Sequence, residues 1–408
     1  MSNHRALLNR LAISGFMLVV PLSSVYAQDA TAVGERLKAA LSKQDMTLTW
    51  DKISGDTAKM IIEGAKLSMP GQATQLPVGT ITLTDIKEDA GNFVAGTATL
   101  PNYTTTQEGL TLSMTGIGFT NLRLPPQDST DPIASFLMYE TADMESLSVK
   151  VGDKQAFAMD RLHFEVEPPV DGNPMAFSGA ADKFSADLSL VEDADTRKLI
   201  EALGLVDLNG TFDLAGYWQP TDGRLAIEQY NVSVDNAGTL GLSFDFGGYT
   251  PAFIKSMQDL QKTMAAAPEG SDTSAQGLAM LGLMQQLNFH SASIRFDDAS
   301  LTGKILAYLA DQQKIKPADV ANQAKAILPF MMAQLNDADL TAQVTGAVNA
   351  YLGDPKSIEI SAEPENPVPF AVIMAGAMAQ SPKDLVKVLG VSVTANEPAA
   401  DEGEDGAE

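Results

Sequence analysis

Phe157-Ala158-Met159-Asp160-Arg161-Leu162-His163-Phe164-Glu165-Val166-Glu167 is the stretch on which the fold turns. Phe157 and Met159 alternate with other side chains, the period of a strand with one apolar face. Two polar residues then stand together, and Leu162, Phe164 and Val166 resume the alternation one step out of phase. An extra residue in a period-2 strand sends every later side chain to the opposite face unless a bulge or tight bend absorbs it. The same text returns as Met60, Ile62 / Ala65, Leu67, Met69, as Leu225, Ile227 / Tyr230, Val232, Val234, and as Leu287, Phe289 / Ala292, Ile294, Phe296. Spacing between the copies is irregular, which excludes a regular solenoid. Repeated use of the device implies long strands that bend around a core.

Outward from these copies the chain divides in two. A short helix comes first, with Val33, Leu37, Ala40 and Leu41 at helical spacing. From Leu48 to about Gly248 the text is mostly strand, cut by Asp, Asn, Gly and Pro turns; Asp235-Asn236-Ala237-Gly238 reads as a hairpin turn. Beyond Gly248, helical stretches at Pro251–Ala266, Leu278–Leu287, the segment after Asp297-Asp298, Pro317 onward, Leu340–Leu352 and Phe370–Ala379 alternate with strands at Asn288–Phe296, Lys356–Ala362 and Val391–Thr394. The expected class is therefore α+β: a long bent antiparallel sheet body over the N-terminal two-thirds, with a helix-rich C-terminal part packed on it. The expected divisions are 1–27, a signal peptide; 28–248, strand-rich; 249–396, helix-rich α+β; and 397–408, a disordered acidic tail.

The N-terminus carries an export signal. His4, Arg5 and Arg10 form a basic region, Leu11–Leu22 an apolar run, and Val25-Tyr26-Ala27 a small-residue cleavage site. The run is shorter than the ~20 residues of a spanning helix, and no Cys follows it to take a lipid anchor. The expected product is a periplasmic protein beginning at Gln28, neither a lipoprotein nor held by a transmembrane segment.

With 408 residues, 45% hydrophobic and 19% charged, the composition is globular. The absence of Cys excludes disulfides, thiol catalysis, iron–sulfur clusters and Cys-based zinc sites. A net charge of −25 argues against nucleic acid, whose phosphates need Lys and Arg. No nucleophile elbow, Ser-x-x-Lys, His-Glu-x-x-His, P-loop or dinucleotide fingerprint occurs. His163, Glu165 and Glu167 alternate on one strand face and are weak metal candidates, since a strand spaces them ~6–7 Å apart, wide for one ion. A solvent face, opposite the buried Leu162, Phe164 and Val166, is the expected role. Asp193, Asp195 and Glu201 read as a turn and helix start, and Glu363, Glu365 and Asn366 as a rigid polar loop. No catalytic residue, cofactor or metal is expected.

Methionine collects in the helical part, at Met257, Met264, Met280, Met284, Met331, Met332, Met374 and Met378. Its unbranched, polarizable side chain suits adaptable apolar surfaces. Apolar helices beside a bending sheet make a lipid-type groove the expected site. Phe253, Met257, Leu260, Leu309, Ile327, Phe330, Met331, Phe370, Ile373 and Met374 are its candidate lining.

The phrases Met159-Asp160-Arg161-Leu162-His163-Phe164 and Met144-Glu145-Ser146-Leu147-Ser148-Val149 resemble the coiled-sheet text of AsmA-like bacterial envelope proteins. That resemblance implies a role in lipid handling between membranes and carries over no functional residue. The chain lacks the retained N-terminal anchor typical of that family. The expected function is an exported, non-catalytic envelope protein that binds an apolar ligand or lipid between sheet and C-terminal helices. The alternatives are a periplasmic structural module with an envelope-protein partner and, more remotely, a metal- or carboxylate-dependent hydrolase.

Overall fold

The computed structural model describes residues 23–69, 75–129, 138–169, 173–265, 274–333, 337–378 and 382–398. The first part holds α1 (Ser23–Ser42), β1 (Thr47–Thr49), β2 (Lys52–Gly55), β3 (Lys59–Ser68), β4 (Leu76–Asp89), β5 (Asn92–Thr99), β6 (Tyr103–Gln107), β7 (Leu110–Thr115) and β8 (Gly118–Leu124). Next come β9 (Thr141–Val151), β10 (Lys154–Glu167), β11 (Met175–Asp187), α2 (Ala194–Leu203), β12 (Asp207–Gln219), β13 (Arg224–Val234) and β14 (Gly238–Gly247). The remainder is α3 (Pro251–Ala265), α4 (Ser274–Met284), β15 (Asn288–Asp298), α5 (Leu301–Gln313), α6 (Pro317–Met332), α7 (Ala338–Gly353), β16 (Ser357–Ala362), β17 (Val368–Pro369), α8 (Phe370–Met378), α9 (Pro382–Val388) and β18 (Val391–Ala395). Most of the expected signal lies outside the described residues; α1 runs through the expected cleavage position.

All these strands form one antiparallel sheet. The ladder runs β3–β4–β5–β8–β9–β10–β11–β12–β13–β14–β15–β16–β18. β1 and β2 flank β3, the β6–β7 hairpin lies along the far half of β9, and β17 sits beside β16 on β15. The α+β class is as expected. The sheet, however, passes straight through the sequence division at 248, because β14 and β15 pair along their lengths.

The out-of-phase apolar text is a crease. In β3 the register shifts between Ile62 and Ala65, yet both ends of this three-residue step are buried in one core. Leu83 and Ile86 of β4, and Ala95 and Ala98 of β5, do the same. The extra residue is absorbed by left-handed backbone at Gly64 (φ 66°), Asp85 (φ 52°), Asn121 (φ 47°) and Arg161 (φ 50°). Register also shifts between Ala181 and Phe184, between Ile227 and Tyr230, and around His290. One face of the sheet thus stays apolar on both sides of the bend.

That face can be followed across thirteen strands through directly opposed residues, which share a face in an antiparallel pair. The row begins Met60, Leu83, Ala98, Phe119, Ala142, Phe164. It continues Gly179, Leu214, Tyr230, Leu242, Ile294, Ile360, Val393. No position is polar apart from the Tyr230 hydroxyl. Gly179 is required here, since a Cβ would lie 2.3 Å from the ring of Phe164. The opposite face is knitted by hydroxyl pairs, among them Thr84–Thr97 (2.8 Å), Thr120–Thr141 (2.8 Å) and Ser243–Ser293 (2.9 Å).

Among the described residues, the broadest helical cover of the apolar face lies at the two ends of the ladder. α1 lays Ala30, Val33 and Leu37 on Met60, Ile62, Leu83 and Leu122 to make the main buried cluster. α7 packs on the last strand, whose Val393 is buried. The other helices leave from the ends of the strands. α3 follows Gly247 and α8 follows β17, which pairs with Asn288 and Phe289, the same end of the sheet. α5 follows Asp298, opposite Gly238, and α2 enters β12 at the corresponding end. By packing partner the helices fall into two groups, α3–α4–α8–α9 and α2–α5–α6–α7.

Local signals behave as their chemistry requires. The Asp193 carboxylate caps α2 through the Thr196 amide (2.8 Å), and Gly204 (φ 66°) ends that helix. Pro317 opens α6, which continues through Pro329 to Met332. Asp298 accepts from the Thr302 amide at the start of α5 (2.8 Å), whereas Asp297 is taken by Arg295. The packed chain extends one residue into the expected tail, where the Glu397 carbonyl accepts from Arg295 (3.0 Å) and from Ser357 (3.2 Å). Residues 399–408 lie outside the described residues.

Candidate functional site

Exposure along the apolar row separates core from site. Met60 and Leu83 are 0% exposed beneath α1, while Ile294 is 53% and Ile360 50% exposed. Tyr230, Leu240 and Phe244 are exposed beside them. A contiguous set of large apolar side chains on regular, paired strands is therefore open to solvent, an arrangement that marks an interaction surface.

At the α3 end this face deepens into an apolar cavity of about 300 Å³, lined by Met138, Tyr139, Val166, Met175, Phe177, Trp218, Leu225, Tyr249 and Ile254. Burial raises the Tyr139 phenol pKa above its ordinary value. The Trp218 indole N–H donates to the Tyr249 carbonyl (2.8 Å), leaving the rest of the ring apolar. From Tyr249 an aromatic chain leads back to the open face: Tyr249 meets Phe246 (5.8 Å between centroids), and Phe246 meets Phe244 (5.8 Å). These rings link the cavity lining to the exposed strip.

The opposite face offers a different chemistry. A depression of about 890 Å³ across β12–β16 contains Tyr217, Arg224, Asn231, Asp245, Arg295 and Glu359. Its arginines are already neutralised: Arg224 binds Asp245 (2.6 Å), and Arg295 binds Asp297 (2.7 Å) and Glu359 (3.2 Å). The hydrogen bond from Asp245, and for Arg295 that from Asp297, holds each guanidinium pKa above its usual value.

The ten candidates from the sequence divide between the two helix groups. Phe253 is buried against Tyr249 (5.7 Å), and Phe370 packs on Phe246 (6.2 Å) and Phe289 (6.4 Å), so both reach the apolar face. Met257, Leu260, Ile373 and Met374 are half-buried on the same helices, α3 and α8. Leu309, Ile327, Phe330 and Met331 belong to α5 and α6 of the other group and are exposed, Phe330 at 79%. The sequence reading missed the sheet's own contribution, Leu242, Ile294 and Ile360. The signal lay in the same shifted alternation, which supplies more apolar strand surface than one short helix covers.

His163, Glu165 and Glu167 are exposed on the polar face, and His163 Nδ1 lies 2.7 Å from Asp143 Oδ1. Among the described residues no group of three His, Asp or Glu side chains is placed to hold a metal. Asp193 is the cap of α2, the role expected of it.

A protein-family model described as "Uncharacterized protein" matches residues 231–396, from β13 to the end of β18. The matched segment includes the most exposed part of the apolar row. No curated protein matches the chain.

Proposed function

We propose that this protein is an exported, non-catalytic binder of a lipid or similar hydrocarbon ligand, held along the open apolar face of its sheet and in the cavity at the α3 end. The periplasm is the proposed compartment, from the basic and apolar text before Gln28. The observation that carries the binding reading is the unbroken apolar row whose stretch between the end helices leaves Tyr230, Ile294 and Ile360 exposed among the described residues. Covering such a strip with hydrocarbon removes apolar area from water at roughly 25 cal/mol per Å². A surface of this kind binds by shape and hydrophobicity and needs no titrating or metal-ligating group.

Titration of delipidated protein with a fluorescent fatty acid tests this. Saturable binding is expected, weakened about tenfold or more by Ile294→Asp, a loss of roughly 1.4 kcal/mol or more. Asn231→Asp, on the polar face, is expected to leave binding unchanged. Absence of saturable binding to fatty acid, phospholipid or detergent would remove the reading.

A further inference from the structure

Helices α4 and α8 invert the usual rule for a surface helix. The exposed positions of α4 are Ser274, Ala275, Gly277, Leu278, Ala279, Leu281 and Gly282, none of them charged, with Leu278 70% exposed. Those of α8 are Val372, Ala375 and Ala377. A surface helix ordinarily turns charged or polar residues to water, and one that is apolar all round is ordinarily buried. The two helices pack together, so their outward sides form a single feature.

The charge distribution makes the feature sharper. The chain carries 27 Lys+Arg and 52 Asp+Glu. Yet there is no Asp, Glu, Lys or Arg from Thr273 to Ile294, or from Asn366 to Pro382. These two uncharged runs contain all of α4 and α8. The pair is also rooted in the site, because Phe370 at the start of α8 packs on Phe246 and Phe289 of the apolar face. Neither helix, at 11 and 9 residues, is long enough to span a bilayer, which takes ~20 residues.

We propose that α4 and α8 seat this end of the sheet on a lipid surface, dipping Leu278, Leu281 and Val372 into the boundary between headgroups and acyl chains. This rests on the hydrocarbon-binding reading above and names the source of the ligand: an acyl chain leaving the bilayer beside α8 meets Phe370, Phe246 and the apolar strip without crossing charged surface. The surface is zwitterionic. An acidic chain whose two contact helices carry no cation gains little from anionic headgroups and is repelled by them through its net charge. Burial of apolar side chains in the interface supplies the attraction.

Flotation of the purified protein with phosphatidylcholine vesicles tests the proposal. Recovery with the vesicles is expected, falling at least tenfold in Leu278→Asp/Val372→Asp, whose sites are exposed enough to leave folding intact. That variant should keep wild-type affinity for free fluorescent fatty acid. Ile294→Asp should behave oppositely, losing probe affinity while floating normally, so failure of the seat and failure of the strip are told apart. Vesicles rich in phosphatidylglycerol should recover less protein at low salt, the deficit shrinking as salt screens the repulsion. No recovery with phosphatidylcholine, unchanged recovery in the double variant, preference for anionic vesicles, or loss of recovery only in Phe330→Asp in the other helix group would each overturn the proposal.

Discussion

Arg161 shows how much of the architecture rests on single backbone conformations. Its φ of 50° lets Met159 and Leu162 share a face although they stand three positions apart. A β-branched residue fits left-handed backbone poorly, so Arg161→Val should cost about 1–3 kcal/mol in denaturant unfolding, while Arg161→Gly should cost much less. Asn396 is a second such point. Its side chain donates to the Ala350 (3.3 Å) and Asp354 (3.0 Å) carbonyls and accepts from the Lys356 and Ser357 amides (both 3.2 Å). It thereby ties the end of α7 to β16 and β18, and Asn396→Ala should lower stability by roughly 1–3 kcal/mol. At Asp193, hydrogen bonds from Thr196 hold the carboxyl pKa below its ordinary value. The folded state therefore gains from this cap above the unfolded carboxylate range and loses the gain as pH falls through it. Asp193→Asn keeps the cap and should flatten that acid limb, as thermal melts from pH 7 to 3 would show. The shifted alternation around Arg161 is legible in the sequence itself, because the period of side chains is a property of the text. Which residue adopts positive φ is not, since Asp, Asn, Gly and Arg all serve at the bend.

Among elements, α1 and α6 make opposite uses of methionine and its apolar neighbours. α1 seals Met60 into the core, where it is 0% exposed, whereas Met331 on α6 is 63% exposed. Met60→Ala should cost about 2–5 kcal/mol, and Met331→Ala less than ~0.5 kcal/mol, by the same unfolding assay. Helical spacing gave the existence of α1, α3, α6, α7 and α8; α3, α7 and α8 lie near their expected bounds and α6 opens at Pro317, whereas α1 begins at Ser23, well before Val33. It did not give their placement. An apolar stripe looks the same whether it meets a strand, another helix or water, so Phe253 and Phe370 reached the apolar face while Ile327, Phe330 and Met331 did not become buried. The helical residues expected to line one groove divide between the two helix groups accordingly, and the proposed site lies on the strands.

For the whole molecule, the deciding feature is an imbalance of cover. One sheet carries an apolar face through thirteen strands, and its helices cover the two ends. Sequence showed that strands were long, bent and antiparallel, because turns and alternation are local. It divided the chain near Gly248, where helices begin, because pairing between β14 and β15 spans an insertion of two helices and leaves no local mark. The net charge of −25 opposes self-association through the exposed strip. Neighbouring residues of one strand give the most direct test of the hydrocarbon reading, since Ile294 and Ser293 of β15 face opposite sides of the sheet. A photo-crosslinking amino acid at position 294, irradiated in protein expressed in its native host, should yield lipid adducts by mass spectrometry, and the same amino acid at position 293 should yield few or none. Equal adducts at both positions, or none at 294, would contradict the account.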